Sequence, residues 1–409
     1  MKILVSDPIT QEGLDLLHSS GIEVDYIPDG SQDEVNKSAE DAHGWIIRSG
    51  TKITSSNLEL AKNLTVIGRA GVGVDNIDLI SATRKGVVVM NTPDANTTSA
   101  AEHTVALMLT LSRNIHKGHS SLQKGKWERH KLVGNELNGK TLGVIGLGKI
   151  GNEVAKRCQS FGMKTIVYDP YANQVMFENQ NIKFVDIDVL TSQSDYISVH
   201  IPLNKKTENL FDYKRLSMMK SSAMIVNVAR GGIINEHDLA NILKKKIIAG
   251  AAIDVFRDEP ISNEHPFIGL KNILLTPHLG ASTKEAKAGV SKIICMQLID
   301  YLNNDKLVNA INMPVKNLEL LEKIQPVLDL ALLLGEIQSQ IFDSAITKVE
   351  IKCFGSVKDT KLIHLAFIKG LLKNRVPDRI NYINAETMAM ELGISFEVGY
   401  SNSFSNHSN

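Results

Sequence analysis

The stretch from Lys140 to Gly151, KTLGVIGLGKIG, constrains this chain more than any other. A short apolar strand runs straight into Gly146-Leu147-Gly148-Lys149-Ile150-Gly151 and then into helix-forming sequence. Each glycine answers a physical need. Gly146 makes a tight turn, Gly148 lets a pyrophosphate approach the backbone, and Gly151 lets helix and strand pack closely. The helix N-terminus then offers free N–H groups to the phosphates. Glycine-rich turns are common on their own, so the surroundings matter. A second apolar strand, Thr165 to Tyr168, ends in Asp169, about twenty residues beyond the glycines, where a carboxylate meets adenosine ribose hydroxyls. No arginine directly follows Asp169. A 2′-phosphate would face repulsion there with no adjacent cation, so the reading is NAD rather than NADP.

Ahead of this motif, short apolar strands alternate with helical stretches: Lys2 to Ser6, a helix near Gln11 to Ser20, Gly44 to Arg48, Leu64 to Gly68 and Val87 to Met90. That alternation predicts an α/β unit with a parallel sheet. A second glycine-rich stretch, Gly68-Arg69-Ala70-Gly71-Val72-Gly73, also follows a strand. Its spacing is GxxGxG and no acidic strand end follows, so it reads as a ligand-facing loop rather than the NAD turn. From Thr97, TTSAAEHTVALMLTLSRNIHKG predicts one long helix with a Thr or Ser N-cap. Lys117 to Asn138 carries Trp127 among basic residues in poor helix or strand pattern and reads as an exposed arm.

Beyond the glycines, Tyr196 to His200, Ala223 to Val228, Ile248 to Asp254 and Asn272 to Thr276 extend one Rossmann-type sheet. Such sheets bind ligands outside the carboxyl ends of their strands. Arg230, Glu259 and His278 follow three of those ends. A helix from Ser282 to about Leu302 carries the chain back to the first unit. The expected fold class is therefore α/β, with two Rossmann-like doubly wound parallel-sheet domains, an interdomain cleft and a small α+β C-terminal region. The expected division is residues 1–97 with 285–313 for substrate, 98–284 for NAD, 314–400 as the extra region, and 401–409 as a polar tail.

Lys plus Arg and Asp plus Glu number 45 each among 409 residues, so net charge draws the chain toward neither nucleic acid nor an anionic membrane. The N-terminal apolar run is too short for a signal peptide and no segment approaches a membrane span, so a cytoplasmic location is expected. Cys158, Cys295 and Cys353 are widely spaced with no CxxC pair, which reads as reduced thiols and no metal site.

Oxidising a 2-hydroxy acid with NAD needs a base for the hydroxyl proton and a cation for the carboxylate. Arg230 offers a planar fork for a carboxylate. His278 can take a proton near neutral pH, and a neighbouring Glu259 would orient its ring and favour imidazolium.

The stretches LGVIGLGKIG, VNVARGG, AIDVFRDEP and TPHLGAST, in this order, resemble the signatures of the D-isomer-specific 2-hydroxyacid dehydrogenases over about residues 1 to 313. Carried onto matching positions, the resemblance implies Arg230 as carboxylate clamp, His278 as acid/base and Glu259 as its partner. It implies that Lys149, Ile150, Asp169, Ile201, Val228, Ala229, Arg230, Asp254 and the turn His278, Leu279, Gly280 and Ala281 line the NAD site with Gly146, Gly148 and Gly151. Arg48 in IIRSGT and Arg69 in GRAGVG match substrate-facing positions, and with Asn96 they would hold the phosphate and carboxylate end of 3-phosphoglycerate.

The implied reaction is oxidation of 3-phospho-D-glycerate to 3-phosphohydroxypyruvate, the first step toward L-serine, by a homodimer or homotetramer. Two alternatives are a hydroxypyruvate, glyoxylate or other D-2-hydroxy acid reductase, and a non-catalytic NAD-sensing protein similar to corepressors. Relatives often carry Thr where Ile201 stands. The region after Pro314, with FGSVKDT and INYINAETMAMELGI, resembles the beginning of the extra domain of longer family members. No terminal ACT regulatory domain is expected to follow, which removes the expectation of serine feedback.

Overall fold

Strands buried on both faces read as continuous apolar runs, and the computed structural model shows such runs at the centre of two sheets. It describes residues 1–315, 321, 323–342, 344–354 and 360–401. The polar tail beyond Ser401 and the central part of FGSVKDT lie outside the described residues. Packing separates two compact units, Met1–Pro93 with the chain from Ala288 onward, and Asp94–Lys287.

The first unit holds β1 (Lys2–Val5), β2 (Glu23–Tyr26), β3 (Gly44–Ile47), β4 (Val66–Arg69) and β5 (Val88–Asn91). They form a parallel sheet in the order β2-β1-β3-β4-β5, one of the common doubly wound orders. Leu4, Trp45, Ile47, Ile67 and Val89 fill one face. On the other, the Lys284–Asn304 helix lies so close that a Cβ on Gly68 would stand 2.4 Å from Leu298 Cδ1 and 2.7 Å from Ile294 Cγ1. The edge strand β2, EVDY, is partly exposed and carries two charges, so its apolar signal is too weak to mark it as a strand from sequence. Asn312 seals the opposite edge: its Oδ1 accepts from Val89 N and its Nδ2 donates to Val87 O, both at 2.9 Å.

The second unit holds β6 (Thr141–Ile145), β7 (Lys164–Tyr168), β8 (Ile182–Phe184), β9 (Tyr196–Val199), β10 (Met224–Asn227), β11 (Gly250–Ile253) and β12 (Ile273–Leu275). Their parallel order is β12-β11-β10-β9-β6-β7-β8. From β6 the chain winds one way to β7 and the other way to β9, and ligands bind at such a switch point.

The long helix expected from Thr97 is instead two helices, Thr97–Ser112 and Ile115–Gln123. Asn114 breaks it by adopting a left-handed φ of 52°, a conformation asparagine tolerates better than most residues. The N-cap is Asn96 rather than Thr or Ser, and its side chain makes no capping bond.

C-terminal residues pack with the first unit: Arg379 Nη2 donates to Leu64 O at 2.7 Å and Asn381 Nδ2 to Gly86 O at 2.7 Å. Helices Gln325–Ile341 and Thr360–Leu372 meet glycine against backbone. A Cβ on Gly335 would lie 2.1 Å from Phe367 O, and one on Gly370 2.0 Å from Leu332 O. Beside them, β13 (Lys348–Phe354) pairs in parallel with β14 (Ser395–Ser401). β14 is not among the strands expected from sequence, and Ser401, expected in the polar tail, is its last residue.

Candidate active site

The glycine turn shows why each glycine stands where it does. Gly146 has a φ of 89°, and a Cβ there would meet Ile201 Cγ2 at 2.6 Å and His200 O at 2.7 Å. Gly151 lies against the turn itself, its missing Cβ falling 2.1 Å from Gly146 O. Gly148 differs: a Cβ there would project into open space. It is also the N-cap of the Lys149–Ser160 helix and gives it no side-chain cap, so the terminal N–H groups and the space above them are left for an anion. These residues fit a dinucleotide pyrophosphate.

Asp169 follows β7 and ties the turn to its neighbour. Its Oδ2 accepts from Leu147 N at 2.8 Å, and its Oδ1 from Tyr171 N at 2.9 Å and Ala172 N at 3.1 Å. Lys149 is ion-paired with Asp94. Ile150 packs against the core beneath the helix. His200 sits at the switch point with Nε2 2.7 Å from Ser198 Oγ. Desolvation of its ring pushes its pKa down to about 4, so it is neutral near pH 7 although part of its surface is exposed.

Arg230, Glu259 and His278 stand after β10, β11 and β12, which are neighbours in the sheet. His278 Nδ1 lies 2.6 Å from Glu259 Oε2, while Glu259 Oε1 accepts from Phe256 N at 2.9 Å. Burial would raise the pKa of Glu259, but the bonds from His278 and the Phe256 N–H outweigh it and hold the carboxyl below its usual value. The half-buried Arg230 is held locally, Nη1 donating to Ala229 O at 2.7 Å and its own carbonyl accepting from Asn227 Nδ2 at 2.9 Å. Gly231 brings this loop against the next one, since a Cβ there would fall 1.9 Å from Phe256 C.

His278 adopts a left-handed φ of 53°, which is unfavourable for a non-glycine residue and persists where the surroundings over-determine it. Asp254 supplies that support from beneath. It is fully buried, and its carboxylate accepts from Leu279 N at 2.8 Å, Gly280 N at 2.9 Å and Thr276 Oγ1 at 2.6 Å. His103 Nε2 completes the set at 3.1 Å. Burial opposes ionisation of Asp254, yet the bonds from His103, Thr276 and Leu279 lower its pKa overall. Ser99 Oγ donates to Gly280 O at 2.9 Å, and Val228 touches the turn, 2.9 Å from where a Gly280 Cβ would stand. Sequence reasoning missed His103, Ser99 and Gly231. Only VARGG carries a local signal for the last.

In the first unit, Ile47 and Arg69 are register partners at the carboxyl ends of β3 and β4, so Arg48 and Arg69 share one edge of the sheet. Arg48 N donates to Asp7 Oδ2 at 2.5 Å and its Nη1 to Pro8 O at 3.3 Å. Arg69 folds over Gly71, whose missing Cβ would lie 1.6 Å from Arg69 Nη1. Within the GxxGxG stretch, Gly68 admits a helix and Gly71 makes room for the Arg69 guanidinium. In the second unit, Asn96 keeps a buried Oδ1 with no hydrogen-bond partner among the described residues.

Among the described residues no cluster of His, Cys, Asp and Glu could hold a metal ion, and no helix is long and apolar enough to cross a membrane. All three cysteines are free.

Residues 105–280 match the D-isomer specific 2-hydroxyacid dehydrogenase, NAD binding domain, and residues 323–408 match the D-3-phosphoglycerate dehydrogenase intervening domain. The chain is 41% identical to D-3-phosphoglycerate dehydrogenase of Archaeoglobus fulgidus over 97% of its own length and 76% of the relative's. It is 37% identical to the Bacillus subtilis protein of the same name, over 100% and 78%. Among solved structures, the NAD-dependent formate dehydrogenase of Staphylococcus aureus in complex with NAD is 32% identical, with a TM-score of 0.69 over 76% of this chain and 98% of that one. With the glycine turn and the parallel sheet, these likenesses make the chain an NAD-dependent dehydrogenase. It belongs to the D-isomer specific 2-hydroxyacid dehydrogenases, in the D-3-phosphoglycerate dehydrogenase branch.

Proposed function

We propose that this enzyme oxidises 3-phospho-D-glycerate to 3-phosphohydroxypyruvate, the first step toward L-serine, with Arg230, Glu259 and His278 as its catalytic residues. The observation that carries the assignment of roles is the 2.6 Å contact between His278 Nδ1 and Glu259 Oε2 at the carboxyl ends of adjacent strands. NAD, when bound, supplies the hydride acceptor. With Nδ1 engaged by Glu259, Nε2 of His278 is the nitrogen that takes the hydroxyl proton, and the carboxylate stabilises the imidazolium that results. Arg230 binds the substrate carboxylate through its guanidinium fork.

Arg48 and Arg69 hold the phosphate, and Asn96 joins them in binding that end of the substrate. That pair of cations favours a phosphorylated substrate over plain hydroxy acids. Replacing either by Ala should weaken 3-phospho-D-glycerate more than D-lactate by about 1.5 to 3 kcal/mol, the scale of a lost charged hydrogen bond. Equal losses on both substrates would overturn the phosphate assignment.

The enzyme acts in this reading as a cytoplasmic homodimer or homotetramer on a small-molecule substrate, with neither nucleic acid nor membrane as partner. Trp127 and Val133 are 81% and 82% exposed, which supports an arm that docks on a second subunit. Monomeric behaviour in light scattering at micromolar concentration would contradict it.

A further inference from the structure

A cavity of about 320 Å³ opens in the C-terminal part of the first unit, between the Thr360–Leu372 helix, the Ala385–Glu391 helix and β14. Small-molecule sites begin at about this size. His364 lines it, only 3% exposed, with Phe396 packed edge-on at 4.9 Å. Both ring nitrogens of His364 lack a hydrogen-bond partner among the described residues, which native interiors seldom tolerate without a bound water or ligand. Burial lowers its pKa, so the neutral ring offers one N–H donor and one acceptor nitrogen.

Two opposite charges flank the ring. Lys361, one turn before His364 on the same helix, has its Nζ 2.5 Å from Glu386 Oε2. The other carboxylate oxygen, Glu386 Oε1, stands 3.8 Å from His364 Nε2, too far for a hydrogen bond. Met390 and Ile394 form an apolar wall. The cavity therefore combines an ammonium, a carboxylate, an unsatisfied donor and acceptor, and a hydrophobic surface.

We propose that this cavity binds an α-amino acid with an apolar side chain. The ligand's ammonium sits between Glu386 and Nε2 of His364, its carboxylate meets Lys361, and its side chain packs on Met390, Ile394 and Phe396. Glu386 disfavours a phosphorylated ligand, which separates this site from the substrate chemistry proposed above. The inference does not depend on that chemistry.

The test is calorimetric titration of the full chain with L-leucine, L-methionine, L-valine and L-phenylalanine, beside 3-methylbutylamine and 4-methylpentanoate, which each carry one of leucine's two charges. At least one amino acid should bind with a submillimolar Kd. If leucine binds, its two single-charge analogues should bind at least tenfold more weakly. Glu386→Gln and His364→Phe should each reduce amino-acid affinity at least tenfold. Should His364→Phe fail to fold, Met390→Trp, at a lining residue 59% exposed, fills the cavity from its solvent side and leaves the buried ring in place. Absence of binding by all four amino acids at millimolar concentration would overturn the proposal. So would affinity unchanged by both Glu386→Gln and Met390→Trp.

Discussion

His103 Nε2 lies 3.1 Å from Oδ1 of the fully buried Asp254, 151 residues further along the chain. Through that contact the Thr97–Ser112 helix braces the carboxylate beneath the His278 turn. Replacing His103 by Leu removes a partner from a buried charge, which costs about 1 to 3 kcal/mol. The melting temperature should fall, and turnover should drop as the turn loosens while the substrate KM changes little. Unchanged stability and turnover would deny His103 this supporting role.

His278→Ala should cut turnover by about 10² to 10⁴ while NAD affinity stays nearly intact. Steady-state kinetics with a parallel NAD titration separate the two effects. Near-normal turnover would remove His278 from the acid/base role.

The glycine turn makes a paired prediction. Gly148 has room for a methyl group and a φ of −69°, so Gly148→Ala should fold normally and lose NAD affinity, because the methyl occupies the space a pyrophosphate needs. In Gly151→Ala the new Cβ would fall 2.1 Å from a backbone oxygen, so the protein itself should be destabilised, by about 1 to 3 kcal/mol for such overpacking. Denaturant melts and NAD titrations of both variants check this. Equal melts would contradict it.

Glu259 is held below its ordinary value of 4.5 by His278 and the Phe256 N–H, against the opposing effect of burial. A depressed carboxylate pKa means that the unfolded chain takes up the proton first as pH falls. The stability contributed by the pair is therefore complete above pH 4.5 and declines as pH drops through the lower folded value. Melting temperatures followed downward from neutral pH should fall more for the wild type than for Glu259→Gln. Identical declines would show that the pair contributes nothing.

Much of this could be read from sequence because its signals are local. The apolar strands, the glycine spacing and Asp169 lie within about thirty residues of one another, the span of one βαβ unit, and Arg230, Glu259 and His278 follow strand ends directly. What could not be read depends on distant or weak partners. His103 looks like an ordinary helix residue until the fold brings Asp254 to it, and Gly231 matters because another loop passes at van der Waals distance. Asn114 ends a helix by a backbone conformation that periodicity does not register. β2 and β14 are partly exposed strands in which alternation is faint.

The most direct test of the central claim is NADH production from NAD with 3-phospho-D-glycerate, run beside D-lactate, D-glycerate and 2-hydroxyglutarate, and the reverse reaction with 3-phosphohydroxypyruvate. A clear preference in kcat/KM for the phosphorylated pair, lost in Arg48→Ala and Arg69→Ala, is the expected result. Turnover confined to unphosphorylated acids would contradict the assigned substrate while leaving the His278 and Glu259 chemistry in place.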